Sequence, residues 1–156
     1  MAKGNVIAGN VLGFGATGGH VYAEGQVGDR AGLRNSGAVI VCEGVGNYAC
    51  EYMTSGMFIN LGKAGKDFGV GMSGGIAIQY DPKGQEMKKM SGSKYVEAYS
   101  TKDKSQYQDA IKKELEEYRD RTGSLEAARI LDNWKEEKHN FSVIIPKALQ
   151  KRDRYR

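Results

Sequence analysis

Glycine recurs along the first half of the chain at a nearly constant interval. Gly9, Gly28, Gly46 and Gly65 are 19, 18 and 19 residues apart, and two further registers keep step, Gly13, Gly32, Cys50 and Gly69, then Gly19, Gly37, Gly56 and Gly75. After the last glycine of each unit comes a short apolar run: HVYA (20–23), AVIVC (38–42), MFINL (57–61) and IAIQY (76–80). A period near 19 is too short for a pair of helices and fits one coil of a parallel β-solenoid. The apolar runs have the length and the Val, Ile, Tyr and Phe content of strands, and the glycines mark corners where a Cβ would obstruct the turn or the next coil. The expected fold is mainly β: a single-stranded parallel β-helix of about four coils over residues 1–80.

The same reading accounts for a motif that otherwise suggests a nucleotide. Gly-x-Gly-x-x-Gly occurs twice, in GFGATG (13–18) and GVGMSGG (69–75). A dinucleotide fingerprint opens a helix, whereas each copy here opens an apolar strand run, so both are expected at solenoid corners. Tyr22, Ile40, Ile59 and Ile78 form one column three residues past the glycine and are expected to face inward. The next column, Ala23, Val41, Asn60 and Gln79, turns polar along the stack and is expected to face outward, while the apolar column Val21, Val39, Phe58 and Ala77 calls for a covered outer face.

Residues 81–156 obey different physics. Of 22 glycines only Gly84, Gly92 and Gly123 lie here, together with 18 basic and 14 acidic residues that carry the whole net charge of +4. The signs alternate along helical segments and do not gather into a run, which reads as solvated helix surface and not as a nucleic-acid face. Pro82, Gly84 and Gly92 among charges make 81–104 a linker. Tyr107, Ile111, Leu115 and Tyr118 make one helical stripe, Gly123 a stop and Ser124 the next cap. Ala127, Leu131 and Trp134 follow on a second helix, with Leu125 and Ile130 nearby. Residues 105–156 are thus expected to be a two-helix C-terminal extension with a basic tail, KALQKRDRYR, the helices closing one end of the stack and FSVIIP (141–146) extended. No apolar stretch approaches the roughly 20 residues of a membrane span, and Met1-Ala2-Lys3-Gly4 leads into no signal-peptide core, so a soluble, cytoplasmic protein is expected.

Candidate chemistry is sparse. His20 and His139 cannot be paired from sequence and are expected to be structural or solvated. Cys50 beside Glu51 has no histidine nearby in sequence to act as base, and Cys42 and Cys50 are both expected to be reduced, packed thiols. Glu24 and Glu43 fall in successive coils as neighbouring carboxylates, for which Arg30 or Arg34 is the expected partner and a cation the lesser alternative. Asp29, Asn47 and Lys66 read as solvated turn residues. No catalytic, cofactor-binding or metal-binding residue is assigned.

The glycine pattern has a known counterpart. GATGGHVYAEGQVGDRAGLRNSGAVIVCEGVGNYACEYMTSG and LGKAGKDFGVGMSGGIAIQYD resemble the C-terminal GXGXG domain of glutamate synthase large chains. The naming glycines stand at Gly25, Gly28 and Gly32 and again at Gly62, Gly65 and Gly69, while the middle coil keeps Gly46 between Glu43 and Cys50. TGSLEAARILDNW (122–134) and FSVIIP resemble the end of the same domain. The resemblance implies a right-handed β-helix that serves as scaffold beside a glutaminase and a synthase component, which makes glutamate from 2-oxoglutarate using FMN and an iron-sulfur cluster. Both cofactors are then expected on partner subunits and none in this chain, since a cluster needs three or four thiolates and the chain has 2 cysteines. The expected role is a non-catalytic structural subunit in glutamate biosynthesis and nitrogen metabolism, with protein partners or copies of itself and without nucleic acid or membrane. The glycine-rich scaffold component of formylmethanofuran dehydrogenase is a more distant likeness, and an independent β-helix binding protein is the alternative from another class.

Overall fold

The structure, a computed structural model, describes residues 6–9 and 11–149. The solenoid strands are β1 (Val6–Ala8), β2 (His20–Tyr22), β3 (Gln26–Val27), β4 (Ser36–Cys42), β5 (Ser55–Asn60) and β6 (Ile76–Tyr80). They are followed by α1 (Gln85–Lys89), β7 (Val96–Ser100), α2 (Gln108–Thr122), α3 (Leu125–Asp132), α4 (Trp134–Glu137) and β8 (Phe141–Pro146). The main sheet has the order β2-β4-β5-β6-β8-β7. Its first four strands pair in parallel, one coil on the next, through about three turns of a solenoid-like stack. β1 and β3 pair on a second side of the first turns.

Both Gly-x-Gly-x-x-Gly copies lie in turns, with Gly13, Gly15, Gly69 and Gly71 at φ between +65° and +75°, and they lead into β2 and β6. The left-handed conformation recurs through the corner column whether or not glycine is available: Arg30, Arg34, Tyr48, Cys50, Tyr52 and Asp67 all have φ between +55° and +60°. Such residues are disfavoured there individually. They are held because each coil's backbone bonds to the next, as in Arg30 N–H to Asn47 O at 2.8 Å and Cys50 N–H to Ala31 O at 2.8 Å.

The strand register corrects the columns read from the sequence. Val21, Ile40, Phe58 and Ala77 are the aligned set, and they belong to the cluster that fills the solenoid. Tyr22, Val41, Ile59 and Ile78 are aligned one residue later and face out. The cause is one surplus residue in the second coil, where the β4–β5 register shifts between Ser36 and Val39. Asn35 secures that bulge, its Oδ1 accepting from Ala38 N at 2.9 Å and its Nδ2 donating to Ala38 O at 3.0 Å. A one-residue slip exchanges the two faces of a strand, so Ile59 and Ile78, expected inside, are outside, and Phe58 and Ala77, expected outside, are inside. The polar column is also reversed: Cys42, Asn60 and Gln79 are aligned and fully buried.

The outward apolar face is covered by this chain. Ile111, Leu115 and Tyr118 of α2 and Ala127 and Ile130 of α3 are all fully buried and pack with Val41, Ile59, Ile78, Phe141 and Val143. The α2 stripe ends at Gly123, whose φ of +73° makes the left-handed C-cap, and Ser124 Oγ accepts from Ala127 N at 3.1 Å to start α3. The helices therefore lie along the flank of the stack, not over its end. They are also not a terminal extension, because β7 precedes them and β8 follows them in the one sheet.

The segment 81–104 is more ordered than a linker. It contains α1 and β7, and β7 pairs antiparallel with β8, itself antiparallel to β6. Met90, Val96 and Ile144 join the solenoid interior, and Asp81 anchors the start of α1 by accepting from Glu86 N at 3.0 Å and Met87 N at 2.9 Å. These elements close the last coil. Charges around a strand with only Val96 and Ala98 facing the core hide it in the sequence. The basic tail from residue 150 onward lies outside the described residues.

Candidate functional site

The densest polar construction lies where the motif corner meets the helical layer. Inside that corner Asn60 uses both ends of its amide. Its Nδ2 donates to Gln79 Oε1 at 2.8 Å and Lys63 O at 3.2 Å, and its Oδ1 accepts from Gly44 N at 2.8 Å and Gly62 N at 3.2 Å. Gln79 Nε2 completes the ladder to Gly62 O at 2.6 Å and Tyr80 O at 3.0 Å. In a closed interior such groups must bond to one another, and the ladder thereby fixes the backbone of three successive coils. Gly44 has φ +132° beside Gly25 at +147°, so in the middle coil the open backbone of the motif's first glycine falls on Gly44, one place after Glu43.

Glu43 then projects to the helices. Its Oε2 accepts from Ser124 Oγ at 2.7 Å and from the Tyr118 hydroxyl, which also reaches Ala23 O at 3.2 Å. Burial and the neighbouring Glu43 carboxylate push the Tyr118 phenol far above its ordinary pKa. The arginine partner expected for Glu43 is thus replaced by two hydroxyls from the end of α2 and the cap of α3. Arg30 instead pairs with Glu51 at 3.1 Å and stacks on Tyr48 at 4.8 Å, and Arg34 lies 5.9 Å from the centre of the Tyr52 ring.

Beside this junction a cleft of about 610 Å³ runs between the coil corners, α3 and residues 81–86, bounded by Glu43, Lys63, Tyr80, Lys83, Glu126 and Arg129. Arg129 is bound to Glu126 at 2.6 Å and to Glu137 at 3.4 Å, and the Tyr80 hydroxyl also donates to Glu137. The hydrogen bonds that Arg129 donates to Glu126 and to the Tyr80 hydroxyl hold the guanidinium pKa above its usual value.

The remaining sequence candidates are dispersed. Asp29 and Asn47 are more than solvated turns: Asp29 Oδ1 accepts from Asn47 N and Asn47 Oδ1 from Lys66 N, both at 2.8 Å, stitching each coil to the next. His139 faces Gln108 at 3.5 Å, whereas His20 faces Glu114 and Glu117 of α2 at 3.4 and 3.8 Å. Cys42 and Cys50 are free thiols with no exposed surface. Burial pushes Cys42 up to about 12 and Cys50 well above its ordinary value. Since the thiolate is the reactive form, neither cysteine of the native chain should react with an aromatic disulfide reagent at pH 8, and both should react once the chain is unfolded. Rapid native labelling of either, followed by mass, would contradict this burial.

Among the described residues no helix is long and apolar enough to cross a membrane. A family model described as the GXGXG motif matches residues 1–147. The chain is 41% identical over 143 residues to the glutamate synthase [NADPH] large chain of Bacillus subtilis, an alignment covering 92% of this chain and 9% of that protein. It is 40% identical to the ferredoxin-dependent glutamate synthase of Antithamnion sp., covering 96% and 10%, and 38% identical to the glutamate synthase [NADH] of Schizosaccharomyces pombe, covering 92% and 7%. The chain thus spans about a tenth or less of the length of these relatives. With its coil corners built on the motif glycines and nearly all of its length matched, the chain belongs to the GXGXG motif family and is similar to a segment of glutamate synthase large chains.

Proposed function

We propose that the chain is the structural β-helix component of a glutamate synthase, placing the glutaminase and FMN-dependent synthase components without taking part in their chemistry. The observation that carries this reading is that one segment is shared by relatives named for NADPH, NADH and ferredoxin. A segment common to three electron donors is not where the donor is chosen. The use of its polar groups agrees: Asn60, Gln79, Asp29 and Asn47 bond coil to coil, and Glu43 bonds the coils to the helices. FMN and the iron-sulfur cluster belong, on this reading, to the partner components. A right-handed stack of four coils gives them a rigid edge to dock on, in a cytoplasmic enzyme of nitrogen assimilation.

Tagged chain expressed with glutaminase and FMN-domain polypeptides should co-purify with them, and glutamate formation from glutamine and 2-oxoglutarate should fall at least tenfold when the chain is left out. The chain alone should be colourless. Retention of stoichiometric FMN by the isolated chain through gel filtration, or turnover by it alone, would overturn the proposal.

A further inference from the structure

His20 leaves β2 on the outward face of the coils and meets α2, where Glu114 and Glu117 stand three residues apart on one side of the helix. His20 Nε2 lies 3.4 Å from Glu114 Oε2 and 3.8 Å from Glu117 Oε2, and one donor atom from each of the three residues lies within 4.8 Å of the others. A direct charge-assisted N–H···O bond would close to about 2.7–2.9 Å. Donors seated about 2.1 Å from a tetrahedral zinc ion are instead about 3.4 Å from one another. The His20–Glu114 separation matches that of two ligands on one centre, and the 3.8 Å to Glu117 Oε2 is within a small side-chain adjustment of it.

A second observation concerns hydrogen bonding. Tyr22 Oη and Glu114 Oε2 are fully buried and have no hydrogen-bond partner among the described residues, where only three such atoms occur. The Tyr22 ring lies 5.5 Å from the His20 ring and Glu114 Oε2 faces His20 Nε2 at 3.4 Å, so both side chains adjoin the histidine. Glu114 Oε2 has the long contact to His20 Nε2 but no hydrogen bond, and a buried polar atom short of hydrogen bonds marks the place of a water or an ion. Two carboxylates on one helical turn also repel, and Arg121, 3.8 Å from Glu117 Oε1, engages the other oxygen of that carboxylate and leaves Oε2 turned to the histidine.

We propose that His20, Glu114 and Glu117 bind a zinc-class divalent cation that fastens the edge strand β2 to α2. One imidazole with two carboxylates suits zinc or its first-row neighbours better than magnesium or calcium, which favour all-oxygen shells. The cation would close the first coil onto the helical layer through residues that make none of the Asn60 contacts, and its site does not depend on the role proposed above.

Tag-free full chain, stripped with chelator, should bind one zinc ion by calorimetry. Its melting temperature should rise by about 5 °C or more at a hundredfold excess over the dissociation constant. His20→Ala and Glu114→Gln should each weaken binding at least ~10-fold, and His139→Ala should leave it unchanged. If His20→Ala does not fold by circular dichroism, Glu117→Gln, at a partly exposed carboxylate, carries the same expectation. Absence of zinc binding by the wild type, or full binding by a folded His20→Ala or Glu117→Gln chain, overturns the site.

Discussion

Gly62→Ala is expected to lower the stability of the fold by roughly 3 kcal/mol or more, whereas Gly18→Ala should change it by about 0.5 kcal/mol at most. The two glycines look alike in the sequence, each belonging to a short glycine motif at a coil corner. They differ in what an added methyl group would meet. A Cβ on Gly62 would fall on the Glu43 carbonyl oxygen, with Glu43 C at 2.6 Å and Gly44 N at 2.7 Å. All three atoms are backbone of the coil beneath, and that coil is held in place by Leu61 N–H to Cys42 O and Glu43 N–H to Gly25 O, both 2.9 Å. Relief would require the coils to part, which breaks the bonds that set their spacing of about 4.8 Å. Gly18 has nothing within 4 Å of a Cβ and no left-handed backbone to strain. Thermal and urea unfolding of the two variants should show a fall in melting temperature of about 6–12 °C for Gly62→Ala and almost none for Gly18→Ala. Equal melting temperatures would mean that the motif glycines do not mark close approach between coils.

The same contrast shows what the sequence can disclose. A period near 19 survives in a one-dimensional string because every coil needs its corners in the same place, and the helical stripe Ile111, Leu115, Tyr118 survives because one face of α2 is buried continuously. Which face of a strand points inward is less robust. A single inserted residue at Ser36–Ala38 displaces the columns, so aligning Gly37 with Gly19 and Gly56 puts Ile40 beside Ile59 where the backbone puts it beside Phe58. The polar ladder is hidden by the same step, because Asn60 and Gln79 read as solvent-facing whenever Ile59 and Ile78 read as core. β7 leaves too little apolar pattern to be recognised among lysines and serines. Glu43 stands out by its place in the corner column, but its partners Tyr118 and Ser124 come from helices whose docking angle no local pattern records. His20 is silent in the sequence for the same reason, since Glu114 and Glu117 reach it only once α2 lies across the coils.

Asn60→Ala should be the most damaging polar substitution in the chain, costing about 3–4 kcal/mol. The side chain has no solvent exposure, and removing it strands Gly44 N, Gly62 N and Gln79 Oε1 in the solenoid interior. Each orphaned buried group costs about 1–3 kcal/mol, far more than the net value of an intact bond. Gln79→Ala should cost less, about 2 kcal/mol, since the groups it abandons are chiefly the carbonyl oxygens of Gly62 and Tyr80, and a carbonyl keeps a second lone pair. The two losses should not add. Once Asn60 is gone the Gln79 amide oxygen is already without its donor, so the double variant should be more stable than the sum of the singles by about 1–2 kcal/mol. Denaturant unfolding of the four proteins measures that coupling directly. A double variant equal to the sum would mean that the two amides act separately, and Asn60→Ala within about 1 kcal/mol of wild type would mean that water replaces the ladder. The coupling also bears on the role of the corner. A ladder spanning Gly44, Gly62 and Tyr80 lies directly beneath the Glu43 junction and the floor of the cleft, so its cooperativity decides whether that side of the stack is a stiff platform or three coils that yield independently.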